Sequence, residues 1–408
     1  MALVSDLELP AFDYTDPSLR GDSFHVAMSA LQAEGWLAQG PFGYIVLDRE
    51  SAEFFLRTRS AIFPGMKIAE IFGVSDGPLY EQMKRNILHV NGPDHARLRS
   101  LVNPALSPRA VERYAPAMRG FLQELLAAVP DDGCCEFVQA FAKPYPSQTI
   151  ATVMGAPLAD APQLHHWSNW IQRQFDAASM ASEREHIELA VEQFYGYAEE
   201  LIRARRKDPR NDLISMLIET EEAGERLSDV ECINLVFNVL AGGVDTTQSQ
   251  LAHTMRLLAQ HPEQWALLVE QPELADAAVD EALRFEPITP FTARITTEDL
   301  EFRDVSFPAG TIVMVCAFTA NRDLAEEARE PAGAESFDIT APRGRARPLT
   351  FGAGVHYCVG ANLARLELRE ALSFLAQHVR SFELDGEPLF ESITGIYGLA
   401  QLPLRLSL

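Results

Sequence analysis

Cys358 is the residue best placed to do chemistry in this chain. It lies in Phe351-Gly-Ala-Gly-Val-His-Tyr-Cys-Val-Gly360, directly ahead of an apolar, helix-patterned run from Ala361 to Val379. A thiolate where a helix begins faces unpaired N–H groups and the positive end of the helix dipole, and both favour the anion. Glycines in the turn let the backbone approach a bulky group. Two roles fit these facts: a small buried hydrophobe, or a cysteinate that ligates a metal from one side while accepting backbone hydrogen bonds. A second set is His95 and Arg99, four apart after Asn91-Gly-Pro-Asp94 and therefore on one helix face. Two donors on one face suit a dianionic ligand, or simply solvent. A third is Asp245-Thr246, an acid beside a hydroxyl.

These residues need elements to hold them. Ser228-Asp-Val-Glu231 has the form of a capping box. Ile233, Val236, Phe237, Leu240 and Val244 then recur at helical spacing, so a single long helix is expected over 228–260. At 1.5 Å per residue, its roughly 32 residues make a rod of about 48 Å. Its middle reads Ala241-Gly242-Gly243-Val244-Asp245-Thr246-Thr247, a run of poor helix formers. Either a flat ligand approaches the backbone there, or the helix is kinked by a threonine bonding the carbonyl one turn back. Glu281 and Arg284 share a face of a shorter helix that ends before Pro287. From Pro287 to Val315, and again from Ser381 to Leu408, the pattern is β-like. Over 62–92 the chain has no clean period and reads as an irregular apolar loop; with the aromatic-rich segment 160–190 it is a candidate substrate-access region.

The pattern Phe-Gly-x-Gly-x-His-x-Cys-x-Gly over 351–360 resembles the haem-ligand loop of the cytochrome P450 haem-thiolate monooxygenases. The Gly-Gly-Val-Asp-Thr run, the His95/Arg99 pair followed by Leu106-Ser-Pro108, and Glu281-x-x-Arg284 resemble further motifs of that family, in family order. The resemblance implies a mainly α, triangular fold with a small β region, as one domain over 1–408. Haem b would lie between the long helix and the cysteine loop, with Cys358 as axial ligand. Ala241, Gly242, Phe351, Gly352 and Gly360 would border it, and His95, Arg99, Arg294 and His356 would contact its propionates. Asp245 and Thr246 would relay protons when O2 is the co-substrate, and Glu281–Arg284 would be a structural ion pair. Two departures stand out. Ala341 occupies the place where many bacterial relatives carry a third triad arginine, and Val359 stands where leucine is common.

Composition narrows the function. With 34 Lys and Arg against 58 Asp and Glu, the formal charge of −24 argues against nucleic acid and anionic membrane surfaces as partners. Apolar residues make up 47% of the 408, enough for a sizeable core, and no run approaches the length needed to cross a bilayer. A cytoplasmic monomer is expected. Cys134, Cys135, Cys232 and Cys316 lack metal-site spacing and are expected to be reduced structural thiols. Electrons are expected from NAD(P)H through a ferredoxin or flavodoxin with its reductase, docking near Arg343, Arg345, Arg347 and Arg365. The expected reaction inserts one oxygen atom into a hydrophobic small molecule. The expected pocket comprises Ile68, Phe72, Trp170, Val239, Gly242, Pro290, Phe291, Ile396 and Tyr397. Competing classes are a peroxide-driven or coupling haem-thiolate enzyme, a non-enzymatic haem sensor, and a plain helical scaffold.

Overall fold

The computed structural model describes residues 2–222, 227–323, 333, 335–341 and 347–408. An N-terminal helix, α1 (Asp22–Glu34), leads into strands β1 (Leu37–Gly40) and β2 (Gly43–Val46), helix α2 (Arg49–Arg57) and strand β3 (Ala61–Ile62). The apolar stretch that follows is not an irregular loop throughout. It forms α3 (Met66–Ile71) and α4 (Gly77–Arg85), too short for a period to stand out in the sequence. Next come α5 (Gly92–Val102), α6 (Ala115–Ala127), α7 (Pro144–Met154), α8 (Ala161–Gln172) and α9 (Arg184–Lys207).

The central rod is two helices, α10 (Asp229–Gly243) and α11 (Asp245–Gln260), which meet at Val244. The capping box forms as its sequence dictates: Ser228 Oγ accepts from the Glu231 N–H at 3.2 Å, and the Glu231 carboxylate accepts from the Ser228 N–H at 2.8 Å. Val244 departs from the helical ladder with φ −92° and ψ −71°. The Thr246 hydroxyl donates to the Gly242 carbonyl at 2.6 Å, a contact that bends helices. Glycines supply the backbone freedom and the threonine supplies the alternative donor, so the expected continuous rod is broken where its worst formers cluster.

Beyond α11 lie α12 (Ala275–Phe285), β4 (Phe291–Thr296), β5 (Ile312–Cys316) and α13 (Ala361–His378), which carries the cysteine loop at its start. A two-stranded hairpin, β6 (Leu389–Phe390) and β7 (Leu399–Gln401), closes near the C-terminus. The main sheet runs β1-β2-β5-β4-β3, with β2 and β5 parallel and Arg294 paired to Val313 in the β4–β5 register. α13 packs on α6, α11 and α12, while α9 packs on α8 and α10. The helices share one large apolar cluster, and two smaller clusters lie under the sheet.

Glu281 and Arg284 are both buried and form a two-pronged pair, each prong 2.8 Å. The segment before the cysteine loop joins it: Arg284 donates to the Ser336 carbonyl at 2.8 Å, and Glu281 accepts from the Asp338 N–H at 3.0 Å. Backbone groups thus meet the pair a few residues before Ala341, the position at which the sequence departs from the family's triad. Removing Arg284 would strand a buried carboxylate. Arg284→Ala should lower the unfolding free energy by about 3–5 kcal/mol, measured by urea unfolding; a loss below about 1 kcal/mol would refute the structural role.

Candidate active site

The loop 351–360 is closed by the Cys358 N–H, which donates to the Phe351 carbonyl at 2.9 Å. Gly352 and Gly354 take positive φ, 69° and 71°. A side chain at Gly354 would lie 2.4 Å from the Leu56 carbonyl oxygen, so the loop seats directly on the end of α2. Burial pushes the Cys358 thiol up; the N–H groups of Gly360 and Ala361 and the charge of Arg99 act against it. The sulfur therefore sits at the helix start, as its sequence position implied.

Cys358 opens into a cavity of about 490 Å³ that also meets Ala241, Gly242, Gly243 and Thr246 at the broken helix. The two glycines differ. A Cβ on Gly243 would lie 2.4 Å from Ile150 on α7, whereas one on Gly242 would meet nothing within 4 Å and would project into open space. Gly242 thus keeps the slot beside the helix clear. Phe351, Gly352 and Gly360 border the same cavity.

Four basic side chains line it: His95, Arg99, Arg294 and His356. Arg294 is 3% exposed, and neither it nor Arg99 has a carboxylate partner among the described residues. Arg294 donates to the Ala293 carbonyl and Arg99 to the Tyr357 carbonyl, both at 2.8 Å. Burial lowers Arg294 to about 10. His356 is pushed down to about 3, first by burial and then by the charges of His95, Arg294, Arg99 and His89. Its Nε2 lies 3.0 Å from Asn91 Oδ1, and its ring is 4.3 Å from that of His95. In a chain of net charge −24, the buried Arg294 and the half-buried Arg99, without counter-ions among the described residues, call for an anionic ligand. A flat group with two carboxylate arms and a metal that accepts sulfur matches this donor set, and haem has those properties.

The fold and this site define a haem-thiolate oxidoreductase. The Cytochrome P450 family model matches residues 44–394, and the chain belongs to that family. It is 36% identical over 403 residues to a luteothin monooxygenase of Streptomyces thioluteus, covering 98% of this chain and 96% of the relative. It is 34% identical over 307 residues to a mycinamicin IV hydroxylase/epoxidase of Micromonospora griseorubida, covering 74% and 75% of the two chains. Among solved structures it resembles CalO2, with a TM-score of 0.89, 28% identity and coverage of 98% and 99%. Accordingly the protein is a monooxygenase that uses haem b and O2, with electrons derived from NAD(P)H through redox partners. No described helix is long and apolar enough to cross a membrane.

Several expected site residues lie elsewhere. Ile68, Phe72, Val239, Gly242, Phe291 and Ile396 line the cavity; Trp170, Pro290 and Tyr397 do not. Trp170 stacks on His186 and carries Arg173 over its other contacts, with ring centroids 4.7 Å apart and the guanidinium at 4.5 Å. Pro290 serves its strand through a carbonyl that accepts from the Ala317 N–H. Tyr397 is fully buried against Phe24 and His253, and its hydroxyl accepts from the Gly21 N–H. Only the hairpin tip, Thr394 to Ile396, reaches the cavity. On the outer face, Arg343 and Arg345 lie outside the described residues. Arg365 is paired with Asp280, and Arg369 with Glu112, which leaves Arg347 exposed beside the loop.

Asp245 and Thr246 are neighbours in sequence but not on one face. Thr246 borders the main cavity, while Asp245 borders a smaller polar one with Asn169, Arg173, Asp176, Ser249 and Glu391. Gln172, Thr394 and Ile396 line both cavities. Neither Asp245 carboxyl oxygen has a hydrogen-bond partner among the described residues, and the nearest basic nitrogen, His165 Nε2, is 3.9 Å away. Burial, with Glu391 adding to it and Arg173, Lys143 and Asn169 opposing, raises Asp245 to about 8. Burial therefore favours the neutral acid near pH 7. Glu391 had no sequence signal; only the hairpin brings it to Asp245.

A carboxyl raised in the folded state stabilises below its unfolded value near 4 and loses that contribution as pH rises through about 8. Between pH 5 and 8 the unfolding free energy of the protein should therefore fall more steeply than that of Asp245→Asn. Parallel pH profiles would show that Asp245 ionises freely in the fold.

Proposed function

We propose that the chain hydroxylates or epoxidises a neutral, hydrophobic secondary metabolite, with Thr246 and Asp245 managing the protons. What carries this reading is the meeting of Cys358, the guanidinium groups of Arg99 and Arg294, and Thr246 around one largely apolar cavity. Haem, when bound, would be held through the Cys358 sulfur and would supply activation of dioxygen, a thiolate donor being the kind that favours O–O cleavage.

The residues around it then have separable roles. His95, Arg99, Arg294 and His356 bind and orient the propionates. Gly242 keeps the slot beside the broken helix open. The Thr246 hydroxyl donates its own hydrogen to Gly242, so its lone pairs are free to accept a hydrogen bond inside the cavity. Asp245 holds a proton at neutral pH in the adjoining polar cavity, and turning that carboxyl toward Thr246 delivers it. Apolar walls, including Ile68, Val239 and Phe291, keep bulk water from the reacting carbon. Dealkylation by the same oxygen insertion is open to this arrangement. The relatives named for luteothin and mycinamicin IV support a secondary metabolite as substrate.

Electrons come from an external ferredoxin or flavodoxin with its reductase. Arg347, exposed beside the ligand loop with its carbonyl held by Arg49 at 2.8 Å, supports docking on that face. The retained acid and hydroxyl favour this route over a peroxide-driven one.

Turnover of a bound hydrophobic probe with a surrogate ferredoxin and its reductase, under isotopically labelled O2, tests the proposal. One labelled oxygen should enter the product, and salt should slow reduction. Thr246→Ala should lower product formation about 10²-fold while NAD(P)H is still consumed, the balance appearing as peroxide or water. Full coupling in that variant, or label absent from product, would contradict the assignment.

A further inference from the structure

The break at Val244 frees more than the carbonyl that Thr246 takes. No hydrogen-bonded turn spans Val244, so the carbonyls of Ala241 and Gly242 lose the N–H groups of Asp245 and Thr246 that a continuous helix would give them. Buried carbonyls without donors are costly, so a lasting break needs donors from elsewhere. The Thr246 hydroxyl serves Gly242 at 2.6 Å. Ala241 is served from another helix: the side-chain amide nitrogen of Gln172, the last residue of α8, donates to its carbonyl.

Gln172 is one of three side chains that α8 lays across the break. His165, Ser168 and Gln172 recur at helical spacing and so share one face. On the α10 side, the Ser168 hydroxyl donates to the Leu240 carbonyl at 3.4 Å. On the α11 side, His165 Nε2 lies 2.9 Å from Gln248 Oε1. Ser168 and Gln172 are buried, and Gln172 lines both the main cavity and the smaller polar one. Helices stay kinked where side chains enter the i→i−4 ladder. Without Gln172, the ladder partner of the Ala241 carbonyl is the Asp245 N–H, and that bond would close the break.

We infer that Gln172 is a positioning residue for proton delivery, because its bond to Ala241 holds the break open with Thr246 on the main cavity and Asp245 on the polar one. α8 is then a splint laid across two helix ends, and Gln172 competes with the Asp245 N–H for one carbonyl. The effect on turnover rests on the monooxygenase reading above, whereas the effect on the helix does not.

Two substitutions remove the donor. Gln172→Met keeps the volume, and Gln172→Glu keeps the shape while its ionised carboxylate cannot donate. Amide hydrogen exchange of the ferric holoprotein reads the break directly. In both variants the Asp245 amide should exchange about tenfold more slowly than in wild type, as the Ala241 carbonyl returns to it. Gln174→Met is the control: Gln174 lines the main cavity but donates to the Ile171 carbonyl at 2.8 Å, so exchange at Asp245 should not change. With a hydrophobic probe that wild type oxidises, product formed per NAD(P)H should fall about tenfold in Gln172→Met, while the probe's dissociation constant moves less than about threefold. Exchange at Asp245 that is unchanged or faster in both Gln172 variants would overturn the inference, the faster result marking Gln172 as a packing brace. So would equal slowing in Gln174→Met, or slowed exchange in Gln172→Met with coupling intact. A wild type that oxidises no probe would contradict the proposed function, while the exchange comparison still decides whether Gln172 holds the break.

Discussion

A half-buried sulfur, a half-buried guanidinium and a fully buried one surround one slot in an acidic protein, and each is costly there without its counterpart. The thiolate is held by N–H groups at the start of α13, while Arg99 and Arg294 have only backbone oxygens for company. Dehydrating such groups is unfavourable unless an opposite charge or a metal completes them. Much of the surrounding structure follows from keeping this slot both open and closed to water. The loop 351–360 seats on α2 through Gly354. The Glu281–Arg284 pair, capped by Ser336 and Asp338, steadies the chain that leads toward it.

The break at Val244 answers the same demand from another wall. A regular helix would present side chains at every turn, yet the slot requires a bare strip. Gly242 provides the strip, Gly243 lets α7 pack close behind it, and Thr246 takes over the carbonyl that the kink exposes. The kink also divides the proton-bearing groups. Thr246 faces the main cavity and Asp245 the polar annex, joined through a wall shared by Gln172, Thr394 and Ile396. Separation of this kind keeps the carboxyl in its own polar annex while its hydroxyl neighbour faces the main cavity.

The parts of this arrangement visible in the sequence were those that backbone chemistry dictates locally. The cysteine loop, the capping box at Ser228 and the i,i+4 pair His95/Arg99 all sit where spacing placed them. The glycine run admitted both a ligand-facing strip and a kink, and the structure shows the kink with open space beside Gly242. Side-chain direction was less legible. Ile396 and Tyr397 are adjacent on one hairpin tip, but one points into the cavity and the other into the core. Trp170 and Arg365 were drawn away by His186 and Asp280, partners distant in sequence. Glu391 carries no motif, because its meaning lies in what the fold sets beside it.

The central claim is that Cys358 sulfur is the group to which the haem iron binds. The absorption spectrum of the reduced, carbon-monoxide-bound protein reports that ligand directly, since a thiolate shifts the main band far to the red of an imidazole complex. Wild type should give the thiolate band, and Cys358→His should retain haem but give the imidazole-type band. The same thiolate band in both proteins, or an imidazole-type band in wild type, would contradict the assignment.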